Sequence, residues 1–166
     1  MRVLIINTSE RIGGAAIAAN RLMDALRNNG IQAKMLVRDK QTDNITVISL
    51  KKSLWSIWQF VWERIVIWKA NHFKQHNLFA VDIANTGTDI TTYPEFKEAD
   101  IIHLHWVNQG MLSLKDLKKI LQSGKPIVWT MHDMWIFTGI CHYNEECTNG
   151  MVYISRLIKR VNSLCC

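Results

Sequence analysis

Apolar and polar positions alternate between two periods along this chain. Residues 2–7 (RVLIIN) form a short β-branched run, the pattern of a strand buried on both faces. A polar turn over 8–14 ends in Gly13-Gly14. From 15 to 28 the period changes: Ile17, Leu22, Ala25 and Leu26 share one helical face, and Gly30 follows as a stop. Residues 32–37 predict a second strand and 45–50 a third. A strand, loop, helix and strand within the first 37 positions predict a parallel sheet with a right-handed crossover. Ser53 is placed to cap a helix running to about 73, in which Trp55, Trp58, Val61, Trp62, Ile65 and Trp68 recur at three and four. Ser56, Gln59 and Glu63 leave it only a narrow polar stripe, so this helix must face a core, a partner or a membrane interface.

Residues 77–99 are mixed, with turn signals at Asn85-Thr86-Gly87 and Tyr93-Pro94. Residues 100–106 (DIIHLHW) read as a strand. Ser113 and Asp116 open a helix as a capping-box variant, which Gly124-Lys125-Pro126 closes, and 127–131 is the next strand. The order β-α-β-β-α-β-α-β predicts an α/β domain with a doubly wound, Rossmann-like parallel sheet. Residues 151–166 form an apolar and basic tail with helical spacing (Val152, Ile154, Leu157, Ile158, Val161) and no cap or following strand.

The length of 166 residues fits one domain, and 48 % apolar with 20 % charged residues excludes a disordered chain. The most apolar stretch, 54–68, is interrupted by Ser56, Gln59, Glu63 and Arg64 and falls short of the ~20 residues a spanning helix needs. No secretory signal order opens the chain, which points to the cytoplasm. The net charge of +6 is unevenly spread. Residues 51–77 hold five basic residues and one acidic, whereas 78–150 hold five basic and nine acidic. Lysines flanking a tryptophan-rich segment suit the inner membrane surface better than a nucleic-acid groove, and a solvated helix face accounts for them equally. Cys141, Cys147, Cys165 and Cys166 all fall near the end. Their spacings match neither a spread disulfide scaffold nor a zinc motif. Free thiols fit them best; a metal site with His142 is the lesser option.

Ligands of open α/β sheets bind beyond the carboxyl ends of the strands, which singles out three segments. In the first, Gly13 and Gly14 precede a helix whose free N–H groups favour phosphate, although a plain tight turn gives the same pattern. In the second, strand alternation puts His103 and His105 on one side. Trp106 and Asn108 beyond them could stack on and hydrogen-bond a sugar-like ring. In the third, His132 could donate to a hydroxyl, and Asp133 could accept from one or orient a histidine. No GxSxG elbow or paired carboxylates support a hydrolase.

RVLIIN at 2–7, Gly13-Gly14-Ala15, ADIIHLHW at 99–106 and KPIVWTMHDMWIFTGICHY at 125–143 together resemble the N-terminal half of a GT-B glycosyltransferase, of the retaining family-4 type found in bacterial surface-polysaccharide synthesis. The resemblance covers about 1–150. It implies an acceptor-side domain working with a donor-binding C-terminal domain that lies outside these 166 residues, so this chain by itself is expected to be inactive. It further implies transfer of a hexose from a nucleotide-sugar to a glycan or lipid-linked acceptor. Gly13 and Gly14 would face the donor diphosphate, His132 would act catalytically on the transferred sugar, and His105, Trp106, Asn108 and Asp133 would line the acceptor side. No metal or other cofactor is implied, because helix N-termini and basic residues stabilise the leaving group. The helix at 54–73 would touch the membrane. The alternative is a non-catalytic Rossmann-like module that pairs with itself, another chain or the membrane; a nucleotide-binding regulator is a weaker third option.

Overall fold

The computed structural model describes residues 1–51, 58, 61, 62, 64–66, 68, 69, 82–138 and 142. The tail at 151–166, all four cysteines and much of the helix expected at 53–73 lie outside them. The described elements are β1 (Arg2–Ser9), α1 (Gly14–Asn28), β2 (Gln32–Asp39), β3 (Val47–Ser49), a 3-10 turn (Ile90–Thr92), α2 (Pro94–Glu98), β4 (Ile101–Leu104), α3 (Leu114–Leu121), β5 (Ile127–Trp129) and α4 (Trp135–Thr138). Trp58, Val61, Trp62, Arg64, Ile65, Val66, Trp68 and Lys69 are also helical.

The five strands form one sheet in the order β3-β2-β1-β4-β5, with every neighbour parallel. Helices flank it, giving a Rossmann-like α/β fold. β1 is central, and its apolar run serves two cores by alternation. Leu4 and Ile6 join Leu36, Ile102 and Leu104 against Phe96, Leu117, Ile120, Trp135 and Ile136. Val3 and Ile5 join Ala33, Met35 and Val47 against Ala19 and Met23 of α1.

The helix ends follow the punctuation in the sequence. Gly30 is left-handed at φ +77°, and the amides of Gly30 and Ile31 donate to the carbonyls of Arg27 and Leu26. This is a Schellman closure, sealed by Leu26 and Ile31 on the α1 core. Ser113 and Asp116 form a complete capping box: Ser113 Oγ accepts from the Asp116 amide at 3.1 Å, and Asp116 Oδ2 accepts from the Ser113 amide at 3.0 Å. The segment before the 3-10 turn passes so close that a Cβ on Gly87 would come within 2.1 Å of the Ser113 nitrogen.

Three expected strands are shorter than their apolar runs. β3 keeps only Val47–Ser49, β4 stops at Leu104 and β5 at Trp129. Beyond Leu104 the chain still follows β1: the His105 amide donates to the Ile6 carbonyl at 2.9 Å and the Thr8 amide to the Trp106 carbonyl at 2.8 Å, and side chains add to these bonds. The Trp106 amide donates to Asn7 Oδ1 at 3.0 Å, and Thr8 Oγ1 donates to the carbonyls of Trp106 (2.9 Å) and Asn108 (3.1 Å).

Candidate functional site

In a sheet ordered 3-2-1-4-5 the strand order reverses between β1 and β4, and the carboxyl ends of such strands are where open α/β sheets bind ligands. The residues there are Asn7, Thr8 and Ser9 from β1, the stretch from His105 to Asn108 after β4, and the stretch from Thr130 to Asp133 after β5. Asn7 and Thr8 are buried, and their hydrogen bonds hold the post-β4 segment in place. On the outer side, Arg38 donates to the Gln109 carbonyl, and the Gln109 amide donates to buried Asp82. Gln109 takes the left-handed region at φ +58°, so the turn after Asn108 is held by its charged partners.

Three imidazoles form a row across β4 and the end of β5. The rings of His103 and His105 lie 4.6 Å apart, and those of His105 and His132 stack at 5.1 Å. The parallel register sets His103 beside Val128, which brings His103 Nε2 within 2.8 Å of Thr130 Oγ1. His105 Nδ1 lies 2.9 Å from His132 Nε2. Burial, and then the neighbouring His103 and His132, push the His105 pKa down to about 4, so this ring is neutral at pH 7. Burial and His132 also lower His103. His105 Nε2 is buried with no partner. His105 Nδ1 and His132 Nε2 share one hydrogen bond, and the tautomer sets which ring donates. His132 is exposed at the surface, so its ring is open to a ligand.

Asp133 is the hub of a second cluster. Its Oδ2 accepts from the Trp106 indole N–H at 2.8 Å and lies 2.6 Å from His142 Nδ1, while Oδ1 accepts from the Trp135 amide at 3.1 Å. Burial opposes its charge, but the bonds from His142, Trp106 and the Trp135 amide outweigh it and hold the carboxyl below its ordinary range. The Trp106 and His142 rings meet at 5.9 Å. With its N–H engaged, Trp106 has only its ring surface to offer a ligand.

Gly13 and Gly14 stand at the start of α1. Gly13 needs to be glycine because its φ is +89°. A Cβ on either would meet nothing within 4 Å, so no protein neighbour accounts for glycine at 14. No side chain caps α1, and no acidic residue occupies its first turn, which leaves its leading N–H groups for an outside acceptor.

The structure thus joins His105 to His132 and Trp106 to Asp133. Asn108 is buried: its carbonyl accepts from Thr8, and its Nδ2 has no partner. Three participants were not singled out by sequence: Asn7, Thr8 and Thr130. The polar ending of the RVLIIN run signals the first two. His142, considered above as a metal ligand, holds Asp133. Among the described residues no group of three His, Cys, Asp or Glu side chains could hold a metal ion. Glu10, also buried, is a clasp: its carboxylate accepts from the amides of Gln41 (2.5 Å) and Thr42 (2.8 Å) and from the Thr42 hydroxyl. Comparison with family models, curated protein sequences and solved structures finds no match.

Proposed function

We propose that this chain is the acceptor-side, doubly wound Rossmann-like domain of a GT-B glycosyltransferase. Its reaction is transfer of a hexose from a nucleotide-sugar to a glycan or lipid-linked acceptor. The observation that carries the reading is the pair of buried polar atoms without partners, His105 Nε2 and Asn108 Nδ2, both on the segment after β4 at the carboxyl end of the sheet. Buried polar groups are nearly always satisfied, so an unsatisfied pair at the carboxyl end of the strands calls for a ligand. His105 Nε2 donates or accepts according to its tautomer, and Asn108 Nδ2 donates. A hydroxyl both donates and accepts, and a saccharide carries several.

The neighbouring groups fit the same chemistry. His132 offers a ring nitrogen to a hydroxyl of the transferred sugar. Trp106, held by Asp133, offers an indole surface to an acceptor ring. The open space at Gly14 and the uncapped start of α1 suit a donor diphosphate. In this reading a second Rossmann-like domain grips most of the nucleotide-sugar, and transfer requires both.

Saturation-transfer NMR on the chain, with methyl hexosides and with UDP- and GDP-hexoses as probes, tests the reading. Transfer to saccharide protons is expected, and Trp106→Ala, Asp133→Asn and His132→Ala should each reduce it several-fold. A null result with every probe, or transfer that all three variants leave unchanged, overturns the proposal.

A second reading, a non-catalytic interaction module, is favoured by the exposed apolar side chains Val128, Met131, Met134 and Phe137 at and beyond the edge strand β5. Sedimentation equilibrium separates the two: self-association abolished by Val128→Lys supports the module.

A further inference from the structure

Of the core, partner and membrane settings that the sequence left open for the tryptophan-rich segment, the helical positions between 58 and 69 bear on the first. A helix facing the core would hide its large side chains. Here Trp58 is 67 % exposed, Trp62 58 %, Ile65 45 % and Val61 39 %. At 100° per residue these four fall within an arc of about 100°, a mainly apolar stripe that exposed Lys69 shares between Trp58 and Trp62. Arg64 and Val66, on the two flanks of that stripe, are only half-exposed. The outward face is therefore the apolar one, the reverse of an ordinary surface helix.

We propose that this face docks the domain on an anionic lipid bilayer, lying in the plane of the interface. Tryptophan suits that plane because its ring is apolar and its N–H seeks water or headgroups. The charge around the stripe has the matching sign. Lys51 and Lys69 are exposed, and residues 51–77 carry five basic residues against one acidic. Each basic residue near an anionic surface raises partitioning about fivefold. No described helix is long and apolar enough to cross a membrane, so the contact is with one leaflet. A second copy of the chain is the competing occupant. It fits less well, because an isologous dimer through this stripe would bring two basic segments of a +6 chain together.

The inference does not rest on the transferase reading; binding to vesicles requires no saccharide. The test is co-sedimentation of the chain with phosphatidylcholine vesicles, with and without phosphatidylglycerol. Trp58→Ala/Trp62→Ala is the main variant. Both indoles are largely exposed, so the double variant should keep the wild-type circular dichroism spectrum and unfolding midpoint. The chain is expected to bind phosphatidylglycerol vesicles, with about tenfold weaker partitioning in the tryptophan variant. Lys51→Glu/Lys69→Glu should weaken binding comparably, and added salt should weaken it further. Brominated lipid should quench wild-type tryptophan fluorescence more than that of the double alanine variant. Equal partitioning of wild type and tryptophan variant overturns the proposal. So does a concentration-dependent dimer that Trp58→Ala/Trp62→Ala abolishes, which would assign the stripe to a second copy.

Discussion

The β1–β4 pair is finished differently at its two ends. At the amino end the two residues that begin the pair bond each other. The Arg2 amide and guanidinium donate to the Asp100 carboxylate at 2.7 and 3.0 Å, and the Asp100 amide donates back to the Arg2 carbonyl. At the carboxyl end His105 Nε2 and Asn108 Nδ2 are buried and unmatched. The same two strands thus end once in water, where pairing contributes little, and once in the interior, where a missing partner is costly. The second arrangement costs stability, and the proposed site rests on it.

Three substitutions sharpen the contrast. Ile5 lies midway between the ends and is fully buried. Ile5→Ala should cost on the order of 2–5 kcal/mol in denaturant unfolding, with no change in pH dependence. A cost below about 1 kcal/mol would mean that the α1 core closes around the gap.

The next largest effect is at the carboxyl end. His105 is held at a pKa of about 4, against 6.5 for an ordinary histidine. Between those values the unfolded chain binds a proton that the folded chain does not. Stability therefore falls as pH drops from about 6.5 to about 4, by about 3 kcal/mol in all. His105→Phe should flatten that slope in thermal melts across the window. An equally steep slope in the variant would remove His105 as its source.

The smallest effect belongs to the amino end. Asp100→Asn should leave the unfolding midpoint unchanged within error, because both partners of the pair are about half-exposed. A resolvable loss there would erase the difference between the ends.

The fold was legible where local chemistry decides it. The RVLIIN run, the Ser113–Asp116 box and the Gly30 stop each stand where their patterns put them, because each depends on neighbours within a few positions. Strand ends were less legible. Residues 105–106 and 130 continue the extended pattern and keep main-chain bonds to the neighbouring strand, but regular pairing ends at Leu104 and Trp129, and at 106 and 108 the buried Asn7 and Thr8 side chains add bonds that no local pattern announces. Alternation alone paired His103 with His105. The contact of His105 with His132 depends on the β4–β5 register, and that of Asp133 with His142 on how the chain returns after α4, neither of which is written locally. Burial of the Asn108 side chain was likewise unreadable, since its position past a strand end is equally that of an exposed ligand contact.

The central place of β1 has a consequence during synthesis. One of its neighbours, β2, follows within about thirty positions, but Asp100, which closes its other edge, is 98 residues away. Until β4 leaves the ribosome, the most apolar strand of the nascent chain has one edge with nothing to pair with. A growing polypeptide in that state is a substrate for holding chaperones and for misassociation with other nascent chains. Non-local closure of this kind also makes folding slow relative to a helical chain of the same size.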